Sequence, residues 1–350
     1  MHLDAPLQAT RARFRAAAVL LGLGVLIAAF PTSALSSSIG VSAPQYDSPG
    51  GTVPTIVTVY GLPAGFGATI SARGTKGATA ACLGRVWINR NRRTASRKCY
   101  LRLPLQPGSY NIVGRARLKK GDVLLRAVTG AGRRPVLANG YRSPNPMSLG
   151  EMVDIERCFN TTDRVWLTFD DGGSTVQVNR ILSTLRAHNV RARFFFTGAW
   201  AQSNPTMARR IRTEGHAVGN HSFTHPPLSR SSREEVLGQI DRGMRPSSSS
   251  RLLRPPFAAG AFTSRLQRLA ASRGYRLCRW TADTYDWQGP TAARMVERIT
   301  HGDEMTPPVA AGGNILMHGA GPNTSTGLGR IIRAVRGKGL RLEPLRRRAR

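Results

Sequence analysis

Acidic residues and cysteines are scarce in this chain of 350 residues. Only 19 Asp and Glu stand against 51 Lys and Arg, so the formal net charge is +32. This excess excludes a charge-neutral surface and predicts attraction to polyanions such as nucleic acid, anionic lipid or acidic cell-wall polymer. Four cysteines are too few for a scaffold built on disulfides. With 41% hydrophobic residues a sizeable core can form, and the length fits two domains of about 150 residues each.

The N-terminal apolar run, Ala16–Phe30, is short for a membrane-spanning helix, because it would span roughly 22 Å of a hydrocarbon core about 30 Å thick. Arg11, Arg13 and Arg15 precede it, and small residues follow up to Ala34. This pattern predicts a secretory signal peptide over residues 1–34, with an uncleaved N-terminal anchor as the alternative. Both place the mature chain outside the cytoplasm, secreted or associated with the membrane or cell wall. Nucleic acid is therefore not an expected partner. The basic excess predicts affinity for an anionic cell envelope, with a merely solvated basic surface as the alternative.

Residues 41–137 have the pattern of a small β-sandwich, because short apolar runs such as Tyr110–Ala116 alternate with Gly, Pro and Asn turns. Cys82 and Cys99 both lie in this segment, and an oxidising compartment permits a disulfide between them; two buried free thiols are the alternative. The segment has no histidine and few acids, so we expect it to bind glycan or to act as a spacer. Residues 138–150 are predicted to form a linker.

From residue 151 to 345 the pattern changes to alternating strands and helices. Compact apolar strands such as Val165–Phe169 and Leu277–Thr281 are separated by segments with helical periodicity such as Val176–Ala187. Repeated βα units predict a parallel sheet, open or closed into a barrel, with the chemistry at the carboxyl ends of the strands. The last five residues, 346–350, are predicted to be a basic tail.

Two motifs at predicted strand ends have the composition of a metal site. Asp170 and Asp171 follow a buried strand, where carboxylates are costly unless they are used; an ordinary Asp-Gly turn is the alternative. His221 and His225 are four residues apart, which lets two imidazoles reach one ion in a helix or tight turn, although this spacing is common by chance. Together with Asp171 they give a two-His, one-carboxylate set. That set suits Zn²⁺, Co²⁺, Ni²⁺ or Fe²⁺ better than Mg²⁺ or Ca²⁺.

Three further motifs carry charged or aromatic side chains after predicted strands. Arg254 would lower the pKa of a nearby carboxylate. The acid–acid–aromatic group of Asp283, Asp286 and Trp287 could orient a histidine and supply a wall that stacks on sugar. His318 ends the last buried strand. Taken singly, these motifs have structural alternatives: a surface arginine, a polar loop with one packed tryptophan, and a buried core histidine.

Taken together, the five motifs resemble the NodB-homology polysaccharide deacetylases, carbohydrate esterase family 4. The sequences TFDDG, HSFTH, RPPF, DTYDW and ILMHG stand in that family's order, over a region from roughly Arg164 to Leu345. The resemblance implies an α/β fold, a distorted (β/α)7-type barrel, here preceded by the small β-sandwich and the signal segment. Gly173 stands where the family usually has proline, and Gly319 stands where a polar residue is common. No essential position is lost, which favours an active enzyme.

The resemblance also implies a role for each motif residue. Three residues are the implied ligands of one divalent metal ion, commonly zinc: Asp171, His221 and His225. Four are implied to act in catalysis: Asp170 as the base, His318 as the acid, Arg254 as the residue that tunes Asp170, and Asp283 as the residue that orients and charges His318. Three are implied to contact substrate: Trp287 and Leu316 around the acetyl methyl group, and Phe257 through a backbone N–H near the oxyanion.

The favoured function is a secreted, metal-dependent de-N-acetylase of an acetylated polysaccharide, with peptidoglycan first and chitin-type oligomers or poly-N-acetylglucosamine after it. The same site could act as an O-acetyl esterase on xylan. A non-catalytic cell-wall glycan-binding protein is the alternative of another class, and it is disfavoured because a binder has no need of Asp170 beside a metal ligand. No stable protein partner is expected. Cys158 and Cys278 are either paired across the barrel wall or free buried thiols.

Overall fold

The computed structural model describes residues 37–42, 46–47, 52–103, 108–120, 123–128, 133–138, 149–245, 251–257 and 261–345. The predicted signal peptide, nearly all of the predicted linker and the basic tail lie outside these residues. Every helix within the described ranges is too short or too polar to cross a lipid bilayer.

Two largely antiparallel sheets form the N-terminal part of the molecule. Their strands are β1 Ser38–Ser42, β2 Tyr46–Asp47, β3 Thr52–Tyr60, β4 Gly67–Gly74, β5 Thr79–Cys82, β6 Trp87–Asn89, β7 Thr94–Arg102, β8 Gly108–Lys120, β9 Val123–Val128 and β10 Arg133–Ala138. One sheet has the order β1-β3-β7-β5, with β6 paired to β7. The other has the order β2-β10-β8-β4, with β9 paired to β8.

The two sheets share one hydrophobic core. Val57 of the first sheet and Ile70 and Ile112 of the second belong to the same buried cluster. Because side chains alternate along a strand, one face of each sheet lines this core and the other face is turned away from it. Cys82 and Cys99 occupy directly paired positions on β5 and β7 and form a disulfide.

The C-terminal part alternates strands and helices. Its elements are α1 Leu149–Glu156, β11 Trp166–Asp171, α2 Thr175–Ala187, β12 Ala192–Phe196, α3 Gly198–Ser203, α4 Pro205–Thr213, β13 Ala217–Val218, α5 Arg233–Arg242, β14 Leu252–Leu253, α6 Ser264–Ala271, β15 Arg276–Leu277, β16 Ala282–Asp283, α7 Ala292–His301, β17 Asn314–His318 and α8 Thr324–Gly337. Five parallel strands have the order β13-β12-β11-β17-β16, and β14 pairs with β15. A parallel bridge from Asn220 to Leu253 joins the two groups. The predicted distorted barrel in an α/β fold is therefore confirmed.

Local sequence signals fix the helices that surround the sheet. Helix α2 begins with a capping box between Ser174 and Gln177, which satisfies backbone N–H groups that have no partner inside the helix. Its Val178 and Leu182 are buried in the cluster that also contains Phe169 of β11. Packing of this kind holds the strands in register, so that their carboxyl ends open on one side of the barrel.

The strands β15 and β16 do not pair with each other, and helix α1 lies across this seam in the barrel wall. The backbone N–H of Arg279 donates to the carbonyl of Ile155 at 2.8 Å, and the Asn314 side chain donates to the carbonyl of Glu156 at 2.6 Å. The predicted strand Leu277–Thr281 is therefore wrong, because the chain leaves β15 at Leu277 to bond with α1 before β16 begins.

The same seam carries the second disulfide, Cys158–Cys278, which resolves the alternative left open by the sequence.

Two predicted limits differ slightly from the observed elements. Strand β1 begins at Ser38, before residue 41, and α1 begins at Leu149, inside the predicted linker. The division of the chain into domains stays a prediction.

Candidate active site

The site is built on two neighbouring parallel strands. Asp170 of β11 and His318 of β17 are registered partners, so their side chains leave the barrel wall side by side. Ile315 and Met317 pack into the core between sheet and helices, and alternation turns Leu316 to the opposite face. Asp170 is only 3% exposed. The sheet thus presents a carboxyl group and an imidazole together at its open end.

Asp171, His221 and His225 converge beside this pair. The Nε2 atoms of both histidines lie 3.1 Å from Oδ1 of Asp171. The two histidines come from a tight turn, in which Ser222 and His225 have φ values of 64°. The ring of Phe257 packs edge-on against His225, with 4.5 Å between ring centroids.

The donor atoms of this cluster fit a divalent cation. Nδ1 of His221 lies 2.6 Å from the carbonyl oxygen of Arg254, which can only accept, so Nδ1 carries the proton and Nε2 presents a lone pair. That lone pair faces the carboxylate oxygen of Asp171, a contact that favours a positive ion between them. One ligand atom from each of the three residues lies within 4.8 Å of the others. Although burial raises the pKa of the Asp171 carboxyl group, hydrogen bonds and charge from the two imidazoles, when these are protonated, hold its pKa well below the usual range.

The buried side chain of Arg254 binds the carboxylate of Asp170. Its Nη1 atom lies 2.7 Å from Oδ1 of Asp170 and also donates to the hydroxyl of Thr168 at 2.8 Å. The arginine is fully buried, and its guanidinium stacks 4.2 Å from the centroid of the Phe195 ring. Burial lowers the pKa of Arg254, and the charge of Asp170 opposes this effect. One residue thereby fixes both a histidine of the cluster, through its carbonyl, and the acid beside it.

Asp286, not Asp283, is the partner of His318, which corrects the assignment implied by the sequence. Asp286 Oδ1 lies 2.7 Å from His318 Nδ1. Asp286 Oδ2 accepts from the His318 backbone N–H at 2.7 Å and from the Thr324 hydroxyl. Burial disfavours the charged imidazole, but the hydrogen bond and charge of Asp286 raise the pKa of His318 to about 9.

The path of the chain after β16 explains why Asp286, and not Asp283, reaches His318. Asp283 is still within the strand, paired with Leu316, and its Oδ1 accepts from the N–H of Tyr285 at 2.7 Å. Tyr285 has φ of 51°, and this left-handed residue turns the chain so that Asp286 reaches the level of His318. Burial raises the pKa of Asp283 to about 7, and its side chain lines a cavity of about 270 Å³ together with Lys98.

The three predicted substrate-contact residues lie at different depths. Phe257 is 65% exposed and Trp287 is 58% exposed, whereas Leu316 is buried. Phe257 has φ of 60°, which turns the chain directly above the histidine cluster. The two exposed aromatic side chains are suited to stacking on a sugar ring.

The two glycines that depart from the family pattern lie against each other. A Cβ atom on Gly319 would be 2.2 Å from the carbonyl oxygen of Gly172, and one on Gly173 would be 2.5 Å from the carbonyl oxygen of Gly319. No side chain fits at such distances. The backbone N–H of Gly319 also donates to the carbonyl of Asp170 at 3.0 Å. These glycines therefore let the ends of β11 and β17 approach closely.

The chain matches the family model described as polysaccharide deacetylase over residues 160–278. It is 34% identical over 164 residues to a chitooligosaccharide deacetylase of Sinorhizobium fredii, a match that covers 45% of this chain and 73% of that relative. These matches place it among the α/β-barrel hydrolases. The chain belongs to the polysaccharide deacetylase family, as its five motifs predict.

A second relative, a peptidoglycan-N-acetylglucosamine deacetylase of Listeria monocytogenes, is 31% identical over 188 residues, and the match covers 51% of this chain but only 37% of that protein. Among solved structures, a family 4 carbohydrate esterase from Streptomyces lividans in complex with acetate is 29% identical, with a TM-score of 0.45 over 51% of this chain and 91% of that one. The family-model match ends at Cys278, so Asp286 and His318 lie beyond it and are assigned by their geometry.

Proposed function

We propose that this protein is a metal-dependent deacetylase that hydrolyses the acetamide groups of an N-acetylated glycan. The observation that carries the proposal is the registered pair of Asp170 and His318 beside the cluster of Asp171, His221 and His225. Such a pair offers one group to accept a proton and one to donate a proton on either side of a reacting carbonyl.

Asp171, His221 and His225 would hold the divalent cation, with zinc the first choice and cobalt, nickel or iron as substitutes. When bound there, the cation supplies Lewis acidity, which polarises an acetyl carbonyl and makes water more acidic. Arg254 holds the carboxylate of Asp170 pointed at the open end of the barrel through the bond from Nη1. The carbonyl group of the same arginine holds His221 in the tautomer that presents Nε2.

Asp170 accepts a proton as water adds to the acetyl carbon. The backbone N–H of Phe257 is the proposed donor to the developing oxyanion, and Trp287 and Leu316 are proposed to enclose the methyl group. His318, charged through Asp286, gives its proton to the sugar nitrogen as the carbon–nitrogen bond breaks. The products are acetate and a free amine. An amide nitrogen leaves poorly unless it is protonated, which is why this site needs an acid as well as a base.

Peptidoglycan is the proposed substrate, followed by chitin-type oligomers and poly-N-acetylglucosamine. Two relatives support N-acetylated glycans as a class, because one is named a peptidoglycan-N-acetylglucosamine deacetylase and the other a chitooligosaccharide deacetylase. The test is acetate release from purified peptidoglycan, chitin oligomers and acetylxylan, each with and without a chelator. Chelator-sensitive release from the first two supports the proposal. Release from acetylxylan alone would make the protein an O-acetyl esterase, and binding without release would make it a non-catalytic glycan binder.

The proposed location is outside the cytoplasm, against an anionic envelope. On β8, Arg115 and Arg117 are exposed and Lys119 is partly exposed, whereas Ala116 and Leu118 between them are buried. The outward face of this sheet therefore carries a row of positive charge suited to a phosphate-rich or carboxylate-rich polymer.

Cell fractionation tests the proposed location, and sedimentation with isolated anionic cell walls at rising salt tests the proposed contact. Replacing the three β8 cations by glutamine should weaken retention and reduce its salt dependence. The matched control replaces three exposed arginines on barrel helices: Arg209, Arg268 and Arg333. Equal losses in both triple variants would show that only the overall charge matters.

A further inference from the structure

A buried carboxylate joins the two N-terminal sheets, β1–β10, which share one core and are called the sandwich, to the barrel. Glu156, the last residue of α1, is 3% exposed. Its Oε2 atom lies 2.8 Å from Nζ of Lys98 and accepts from the hydroxyl of Tyr100 at 2.6 Å, both on β7 of the sandwich. Its Oε1 atom accepts from Nη1 of Arg279 at 2.9 Å. Two cations and a hydroxyl from two parts of the molecule thus converge on one ionised group.

Nη2 of Arg254 lies against the sulfur atoms of Cys158 and Cys278, at 3.7 and 3.4 Å, and against two oxygen acceptors. The two residues that supply the oxygen acceptors are both attached to Glu156. Nη2 of Arg254 donates to the carbonyl of Arg279 at 2.8 Å and lies 3.2 Å from Oδ1 of Asn314. Arg279 is bound by the Glu156 side chain, and Asn314 donates its amide to the Glu156 carbonyl at 2.6 Å.

These contacts fix the plane of the guanidinium. The fork of nitrogen atoms in arginine is rigid and planar, so the acceptors on Nη2 determine where Nη1 points. Nη1 is the atom that holds Asp170, at 2.7 Å. Within the described residues, Nε of Arg254 has no hydrogen-bond partner that would set the plane instead. A shift of Glu156 would therefore turn the guanidinium of Arg254 and move the carboxyl group of Asp170.

We propose that Lys98 and Tyr100 of the sandwich are positioning residues for the deacetylation reaction, acting through Glu156 and Arg254 on Asp170. The sandwich is then part of the catalytic unit and not only a spacer or a glycan-binding module. This inference rests on the proposed function, and it assigns to the N-terminal part a role in turnover.

The first test is Tyr100→Phe in the full chain. It removes one hydrogen bond and leaves Glu156 paired with Lys98 and Arg279, whereas Glu156→Gln would leave two partly buried cations without their counterion and risks misfolding. We expect kcat to fall about three- to tenfold with KM unchanged, because the network touches no substrate. Lys98→Met should act in the same direction.

The matched control is Arg92→Gln. Arg92 also joins the sandwich to the barrel, through Glu304 at 2.9 Å, but neither residue contacts Arg254. This variant should keep the normal kcat. Equal losses of kcat in the control and in Tyr100→Phe would overturn the proposal, because they would indicate a general effect of the interface.

A double-mutant cycle separates positioning from stability. Arg254→Lys has no planar fork, so Tyr100→Phe should cost no further kcat in that background. The same fold loss in both backgrounds would contradict transmission through Arg254.

Hydrogen–deuterium exchange gives a readout that does not depend on turnover. In Tyr100→Phe, exchange should become faster in peptides covering residues 251–257 and 314–318, and it should be unchanged there in Arg92→Gln. If the wild-type chain released no acetate, the proposed function would fail while exchange still tested the coupling. Identical exchange in Tyr100→Phe and wild type would overturn the coupling itself.

Discussion

His318 and Asp286 are joined by two hydrogen bonds of equal length. Oδ1 of Asp286 lies 2.7 Å from Nδ1 of His318, and Oδ2 accepts from the His318 backbone N–H, also at 2.7 Å. Because both carboxylate oxygens are bound to the same residue, the imidazole has one orientation, with Nε2 toward the open end of the barrel. The hydroxyl of Thr324 also donates to Oδ2 and so helps to hold the carboxylate in place.

The first prediction concerns the alkaline limb of activity. The pKa of His318 is raised to about 9, so the imidazole stays protonated below that pH. We therefore expect kcat to have its full value below the pKa and to fall as the pH rises through it. Asp286→Asn removes the charge that raises this pKa, while burial remains and lowers it. The limb should therefore move to lower pH. The measurement is kcat across roughly pH 5 to 10.

Asp283→Asn is the control for that experiment. Asp283 makes no hydrogen bond to the imidazole and interacts with His318 through charge alone, so its variant should shift the alkaline limb less than Asp286→Asn does. A limb that moved in Asp283→Asn and stayed in Asp286→Asn would contradict the pairing observed here.

The second prediction concerns the cation. Zinc added to chelated protein should raise the melting temperature by several degrees, because a ligand that binds only the folded state at 100 times its Kd stabilises by about 2.7 kcal/mol. Asp171→Asn should lose most of this rise. Asp241→Asn, which removes an exposed carboxylate paired with Arg273 at 2.8 Å, should keep it. A rise that persisted in Asp171→Asn would remove Asp171 from the ligand set.

The third prediction concerns the base. Asp170→Asn should lower kcat by about 10²- to 10⁴-fold, the usual contribution of a positioned base, and should retain the zinc-dependent rise in melting temperature. Asparagine keeps a hydrogen-bond acceptor for Arg254 but leaves that buried cation without its counterion, so the variant should also unfold at lower temperature. Acetate release at the normal rate would show that another group takes the proton.

The fourth prediction concerns the paired glycines. In Gly319→Ala the new Cβ would press on the Gly172 carbonyl, so the ends of β11 and β17 must separate. Melting temperature and kcat should both fall, with a stability loss of about 1–3 kcal/mol. The control is Gly238→Ala, in an exposed part of α5 with no atom within 4 Å of the new Cβ. That change should be neutral or should stabilise by about 0.5–1 kcal/mol. A neutral Gly319→Ala would mean that the close approach is not required.

The strand–helix alternation and the motif order were sufficient to predict the barrel and the cluster at its open end. These features follow from local periodicity and from the rule that parallel strands carry their chemistry at one edge. The partner of His318 could not be read in the same way. Choosing between Asp283 and Asp286 depends on the left-handed Tyr285, and a non-glycine residue with that backbone conformation gives no composition signal.

Helix α1 and Glu156 were missed for a different reason. The helix is short, and its first residues fall in a segment whose composition favours a linker. Glu156 gains its importance from Lys98 and Arg279, which are remote in sequence, so only the folded chain brings the three charges together. Contacts of this kind are set by tertiary packing and leave no periodic pattern.

The seam position of α1 decides how this protein can be shortened. A fragment cut at residue 160, where the family match begins, would lack both Glu156 and Cys158 and would leave Arg279 and Asn314 without their acceptors. Such a fragment would carry every motif residue and still be expected to work poorly. Expression of a fully active enzyme should therefore include the N-terminal sheets as well as α1, starting no later than Ser38, in a host compartment that oxidises thiols.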